Sequence, residues 1–369
     1  MWGTLLALPW RPWGTRERLE ADPTAVDVDL SDVTALIPAR NEAPVLGRTL
    51  AALARQGCGL EVVLVDDQST DGTAAVARGA AVPALTVVTG RPVPQGWTGK
   101  VWALEQGRAH LHRPLTLLMD ADVELAPGAL AVLRRQLERS GAGLASLMVE
   151  LPADGFWGRL LVPAFVYFFK LLYPFRLSFS ERSRVAAAAG GCVLVHTRIL
   201  EEIGGFAALR DAIIDDCGLA ALAKRRGYRP WIGLTRSARS VRERTGLADI
   251  WHMVARTAYT QLRYSAALLL LCTLLMGAAF VMPVYALLAG ALVTRVLAAC
   301  ACAAMVLSYL PTLRFYGLAP GWAAALPLTG LLYLAMTWTS ALRYWRGERS
   351  RWKGRSYAVR SRVREPTVS

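Results

Sequence analysis

Cysteine and histidine are scarce, and neither is grouped. Six cysteines stand at 58, 192, 217, 272, 300 and 302 with no Cys-x-x-Cys pair. That excludes a zinc ribbon and gives no reason to expect a disulfide framework, so reduced thiols on the cytoplasmic side fit best. His110, His112, His196 and His252 are scattered and form no His-Glu-x-x-His pattern, so histidine-ligated metal or histidine-activated nucleophile chemistry is unsupported. Neither a Gly-x-x-x-x-Gly-Lys-Ser/Thr loop nor a strand-linked Gly-x-Gly-x-x-Gly occurs. Any phosphate must therefore be held by metal and charge. Long apolar runs are missing from the first two thirds of the chain. The stretch 1–10 is too short to cross a bilayer, which needs roughly 20 residues. It also lacks the basic start and small-residue cleavage site of a signal peptide, so it is expected to lie on a membrane surface.

Acidic residues are the minority, 28 against 42 Lys and Arg, for a net charge of +14. Such an excess attracts nucleic acid or anionic lipid. Lipid is the better expectation, because nine basic residues lie between Arg343 and Arg364, after the last apolar stretch, where a basic tail meets anionic headgroups. A merely solvated tail is the alternative.

The apolar residues gather after Ser265 in runs 266–292, 296–310 and 322–342, each near the length that spans a bilayer. Thr294-Arg295 divides the first two, Pro283 lies within the first and Pro311 ends the second, so kinks or a re-entrant piece are allowed. Three crossings would put the basic tail opposite the preceding domain, whereas the positive-inside rule wants Arg256, Arg263 and the tail on one side. The tail's side stays open. Segment 157–175 mixes aromatics and leucines with Arg159 and Lys170. It reads as an interfacial helix that admits a lipid, or else as an ordinary buried helix.

A chain of 369 residues holds one or two folded units. The pattern divides it into an N-terminal segment 1–32, an α/β domain 33–264, membrane helices 265–342 and a basic tail 343–369. Within the α/β domain, strand patterns at 34–38, 61–65, 84–89 and 114–119 alternate with helical patterns such as 43–55 and 73–78. That is a doubly wound α/β arrangement, in which ligands sit beyond the carboxyl ends of the strands.

The strand ends carry the chemistry. Pro38-Ala-Arg40-Asn-Glu42 follows the first strand, and Asp66-Asp67-Gln-Ser-Thr-Asp71 follows the second. Asp71 or Thr70 could cap a helix. Adjacent carboxylates such as Asp66 and Asp67 repel unless a ligand or counter-charge is present. Asp120-Ala-Asp122 ends the fourth strand and aims hard oxygen ligands at one point. This suits Mg²⁺ or Mn²⁺ whose shell a diphosphate completes. Gly190-Gly191-Cys192 precedes a strand pattern at 193–195, and Ile203-Gly204-Gly205-Phe206 reads as a glycine-capped helix end. Asp215-Asp216 opens a helical run at 217–226, either as charge favoured at a helix N-terminus or as a general base.

Taken in order, these motifs, with Gly96-Trp97-Thr-Gly99-Lys100 and Asp215-Asp216-x-x-Leu219, resemble the family-2 glycosyltransferases of GT-A fold over about residues 33–357. The resemblance is greater to their hopene-associated branch, which is similar to ceramide glucosyltransferases. It implies that Glu42 and Asp67 contact the nucleoside, Asp120 lies near ribose and diphosphate, and Asp122 ligates the divalent metal. It places Lys100 toward the phosphates, with Pro38, Arg40, Asp66 and Gly191 in the same nucleotide-sugar site. Asp216 maps onto the base, while Asp215 stands where glutamate is more common. The family's Gln-x-x-Arg-Trp element is altered to Gln261-Leu-Arg263-Tyr264. Arg263 is then expected near a phosphate and Tyr264 near the acceptor, or the element is only an aromatic anchor at the membrane interface.

The resemblance implies an inverting enzyme that moves a sugar from a nucleotide-diphosphate sugar, expected to be UDP-linked, to a membrane lipid, in hopanoid-related synthesis. A base and a metal divide that work, the base supplying about 10² to 10⁴ in rate. The chain is expected in the inner cell membrane with its catalytic domain in the cytoplasm and no nucleic-acid partner. A processive polysaccharide synthase and an inactive membrane scaffold are the alternatives.

Overall fold

In a computed structural model, residues 1–242 and 246–358 are described. Strands β1 (Val33–Ala39), β2 (Glu61–Asp66), β3 (Leu85–Thr89) and β4 (Leu115–Met119) form where they are expected. All of β1 and β4 is buried, as suits parallel strands covered on both faces. They join β5 (Val123–Leu125), β6 (Leu144–Glu150), β7 (Cys192–His196) and β8 (Pro230–Ser240) in one eight-stranded sheet, ordered β3-β2-β1-β4-β7-β6-β8-β5. The first four strands are parallel, and β7 runs antiparallel between β4 and β6. The α/β class holds, with a mixed rather than wholly parallel sheet. Ala39 pairs with Asp66 in register, so the acidic turns after β1 and β2 emerge side by side. One apolar cluster fills each face of the sheet.

A third cluster lies between helix Gly155–Leu172 and the C-terminal helices. Four helices are long and apolar enough to cross a membrane: Gly155–Leu172, Ala266–Ala289, Leu292–Phe315 and Pro320–Trp345. The boundary between the second and third differs from the sequence reading. Thr294-Arg295 lies inside a helix, and the break falls at Gly290, where a Cβ would meet the Ala286 carbonyl oxygen at 2.4 Å. Pro311 likewise lies within its helix rather than ending it. A proline removes only one amide donor, which a well-packed apolar helix tolerates.

Helix Gly155–Leu172 is half buried, held by Tyr167 hydrogen-bonded to Ser308 (2.7 Å) and by Tyr333 donating to the Leu161 carbonyl (2.9 Å). Helix Pro320–Trp345 also lies against the helices that follow β8: Trp251 donates to Thr339, and the Tyr259 amide to Ser340. The N-terminal stretch is not separate either. Trp2 donates from its indole to the Ala279 carbonyl (2.8 Å) and packs edge-on against Phe280.

The region expected as a solvated or headgroup-bound tail takes a different form. Residues 343–345 finish a helix, and β9 (Glu348–Trp352) and β10 (Arg355–Ala358) make an antiparallel hairpin. Lys353 and Gly354 turn it with φ of 47° and 79°, the positive pair that a tight hairpin turn needs. Arg360, Arg362 and Arg364 lie outside the described residues.

Candidate active site at the carboxyl ends of the strands

Both acidic turns are built by local bonds. Asn41 and Gln68 adopt positive φ, 51° and 56°, conformations uncommon for such residues and concentrated at functional sites. Asp71 accepts from the Thr73 amide and from the Ala43 amide, 3.1 Å each, so it ties the starts of two helices together. Arg40 donates to the carbonyls of Asp67 (2.6 Å) and Gln68 (3.1 Å), bracing the second turn against the first. Asp66 accepts from the Ser69 amide and closes its own turn.

Asp67 is different. Its side chain is fully buried, one oxygen is paired with Arg355, and the other, Oδ1, has no hydrogen-bond partner among the described residues. Burial raises its carboxyl above the usual range against the pull of Arg355. The counter-charge expected for the Asp66-Asp67 pair thus arrives from the C-terminal hairpin.

Beyond β4, Asp120 and Asp122 face different cations. Lys100, in the first turn of helix Gly99–Arg108, bridges Asp120 (2.8 Å) and Asp215 (3.4 Å). Burial alone would depress its pKa, but Asp120 and then Asp215 outweigh burial and keep the ammonium charged. Asp122 is held by Arg242 (3.1 Å), which also pairs with Glu42. Glu42 is further bound by Lys353 (2.6 Å). Burial raises Glu42, with Lys353 and Arg242 opposing.

Asp215 and Asp216 open helix Asp215–Arg225, where its dipole favours negative charge. Asp216 accepts from the Gly190 amide (2.6 Å) and the Cys217 amide (2.7 Å). Burial first, and Asp215 second, push its carboxyl up to about 6. A cleft beside it is lined by Pro38, Lys100, Asp120, Gly190, Asp215 and Asp216. Gly191 contributes through its backbone: its carbonyl accepts from the Asp120 amide (3.2 Å), and a Cβ there would meet Val149 at 2.6 Å.

The altered Gln261-Leu-Arg263-Tyr264 element divides. Gln261 accepts from the Tyr173 hydroxyl (2.5 Å), and Tyr173 also reaches the Cys217 thiol next to Asp216. Arg263 is exposed and has no ion pair among the described residues. Tyr264 stacks on Tyr344 with ring centroids 4.4 Å apart and accepts from Arg349 (3.1 Å). Arg242 and Tyr173 were not singled out from sequence, and Lys353 and Arg355 were read only as part of a basic tail. An arginine after a strand or a lysine in a basic tail carries no local mark of the acid it will meet. Beyond Lys353 a cavity of about 430 Å³ opens, walled by His252, Arg256, Arg343, Glu348 and Arg349.

This sheet, with its acids gathered at the strand ends and apolar helices behind, is a GT-A-like α/β domain. A mannosyltransferase from Pyrobaculum calidifontis, solved in complex with GDP-Man and Mn²⁺, superposes with a TM-score of 0.53 over 92% of this chain and 94% of its own, at 23% identity. The family described as "Glycosyltransferase like family 2" matches residues 31–260, and the chain belongs to that family.

Similar curated proteins are 4,4'-diaponeurosporenoate glycosyltransferases. That of Staphylococcus haemolyticus is 37% identical over 95 residues, 25% of this chain and 24% of the relative. That of Staphylococcus aureus strain MRSA252 is 35% identical over 117 residues, 31% of each. The match thus spans about a quarter to a third of those relatives' length.

Proposed function

We propose that this family-2 glycosyltransferase transfers a sugar from a nucleotide-diphosphate sugar to a membrane lipid with inversion, using Asp216 as the base. The observation that carries this reading is Asp216 itself. Two backbone amides fix it, its carboxyl is raised to about 6, and it stands beside the Lys100 bridge to Asp120 and Asp215. Fixed amides orient the carboxylate, and a raised pKa brings a base nearer the working pH. Lys100 stays charged and is the cation assigned to the leaving diphosphate, while Glu42, whose oxygens Lys353 and Arg242 hold in this structure, and Asp67 are the carboxylates assigned to the nucleoside. The buried Oδ1 of Asp67, with no partner among the described residues, is an acceptor suited to an N–H or O–H of such a ligand once uncovered.

Among the described residues no group of three Asp, Glu, His or Cys side chains converges on a metal position. Asp120 and Asp122, which pair with Lys100 and Arg242 in this structure, are the hard oxygen donors that would hold Mg²⁺ or Mn²⁺ of the kind bound by one or two carboxylates and completed by substrate phosphates. When bound, the ion neutralises charge developing on the departing diphosphate.

The acceptor is a lipid bearing a hydroxyl or a carboxyl. The curated relatives are named for a carotenoid acid, and a hopanoid-related lipid is the finer reading that the sequence resemblance supports. The chain is placed in the inner cell membrane with the catalytic domain in the cytoplasm. Its hairpin contacts Glu42, Asp67 and Gly99, so the chain has returned to the catalytic side by residue 348. This supports an even number of crossings. Helices Ala266–Ala289 and Leu292–Phe315 are the pair proposed to cross, since 17% and 33% of their apolar windows are buried.

The test is nucleoside diphosphate release by detergent-purified protein with UDP- and GDP-sugars, Mn²⁺ and bacterial lipid. Wild type is expected to release it only with lipid present. Asp216→Asn should lose about 10² to 10⁴ in rate with a hydroxyl acceptor. A carboxylic-acid acceptor arrives deprotonated, so there the same variant should lose far less. Equal turnover by wild type and variant on a hydroxyl lipid would remove Asp216 from the base role.

A further inference from the structure

The C-terminal hairpin reaches the nucleotide-sugar side of the domain by several independent contacts. Lys353 pairs with Glu42 at 2.6 Å and donates to the Asn41 carbonyl at 3.3 Å. Arg355 pairs with the buried Asp67 and donates to the Gln68 side chain at 2.9 Å. The Tyr357 hydroxyl accepts from the Gly99 amide at 2.8 Å, and Arg40 donates to the Lys353 carbonyl at 3.2 Å. These anchors engage the turns after β1 and β2 and the start of the helix that carries Lys100. At the hairpin's base, Arg349 donates to the Asp211 carbonyl at 2.9 Å. None of this segment lies within the family-matched residues 31–260.

We propose that the hairpin 348–358 is part of the donor site, with Lys353 and Arg355 as donor-binding residues that supply the positive charge an anionic nucleotide needs there. This rests on the glycosyltransferase reading above.

The first reason is charge. Glu42, Asp67, Asp120, Asp122, Asp215 and Asp216 crowd the strand ends, and among the described residues the sheet domain answers them with Lys100 and Arg242 as ion-paired cations and with Arg40 beside Asp67. A nucleoside diphosphate entering that field meets net repulsion. The hairpin's two cations reduce it before any metal does. The second reason is that the hairpin leaves binding capacity in place. Arg355 holds one oxygen of Asp67 while the buried Oδ1 has no partner among the described residues, so an acceptor is left over for a nucleoside once that atom is uncovered. The third is the turn itself. Lys353 sits at positive φ beside Gly354, a tight turn that fixes where its ammonium projects.

The experiment is calorimetric titration of the full chain with UDP and with GDP in the presence of Mn²⁺. The double variant Lys353→Ala/Arg355→Ala is expected to bind the preferred nucleotide at least about tenfold more weakly. Steady-state assays should show a raised donor KM with acceptor KM unchanged. The charge-conserving Lys353→Arg/Arg355→Lys pair should recover part of the loss. Lys353→Gln, which keeps the turn and the chain length, carries the test if the double variant loses its fold. Binding equal to or tighter than wild type overturns the proposal, and tighter binding would mark the hairpin as a plug. Wild-type protein that binds neither nucleotide with Mn²⁺ would remove the donor reading as well, so the two failures are distinct.

Discussion

At Asp216, two backbone amides and the neighbouring Asp215 act on one carboxyl. Amides favour the charged form, burial and Asp215 oppose it, and the outcome is a carboxyl raised to about 6. A base works when deprotonated, so transfer to a hydroxyl lipid should be half-active near pH 6, level off about a unit above that and fall tenfold per unit well below it. The kcat/KM profile for a hydroxyl acceptor checks this, and a flat profile down to pH 5 would contradict it. Gly190 offers a second test. A Cβ there would stand 3.1 Å from Asp216 Oδ2 and 3.2 Å from Lys100 Nζ, tighter than ordinary contact. Gly190→Ala should therefore lower kcat by one to two orders of magnitude while the melting temperature stays near wild type. Wild-type kcat in this variant would mean the carboxylate does not need its present position. The Gly-Gly pair was legible in sequence, but its closeness to Asp216 was not, because residues 190 and 216 meet only through the fold.

Among the elements, helix Gly99–Arg108 matters most to the site, since it presents Lys100 from its first turn. It packs closely on the sheet at Gly107, where a Cβ would meet Leu36 Cδ1 at 2.3 Å and Val65 Cγ2 at 2.9 Å. Overpacking a core contact of this kind costs about 1 to 3 kcal/mol. Gly107→Ala should lower the thermal midpoint and, by lifting the helix, weaken nucleotide binding. An unchanged midpoint would mean the helix already has room to move. The parallel strands were visible in sequence because each is a short, mainly apolar run, and β2 and β4 lead straight into Asp66-Asp67 and Asp120. The helix breaks among the apolar segments were not. Thr294-Arg295 is polar, yet polarity does not end a helix, whereas the Gly290 position is fixed by the close approach of the Ala286 carbonyl.

For the whole molecule, the hairpin docked on the catalytic domain sets the topology proposed above. Leu288, Leu292 and Val293, beside the Gly290 break, are exposed at 73%, 78% and 71%, and the proposed two crossings put them at the tip of the excursion. Single cysteines introduced at Ala291 and Arg346 in a cysteine-free background should label from opposite faces of sealed vesicles with an impermeant thiol reagent. Labelling from the same face would refute two crossings.

The sequence by itself determined the α/β class, the placing of the acids at strand ends and the gathering of apolar helices after Ser265. Periodicity and composition report local backbone geometry and burial, and those features are local. Only the tertiary structure decided which cation meets which acid. Lys100 meets Asp215, Arg242 meets Glu42 and Asp122, and the presumed tail returns through Lys353 and Arg355 to Glu42 and Asp67. An ion pair between residues hundreds of positions apart depends on where the folded chain comes back, and no periodicity along the chain encodes that distance.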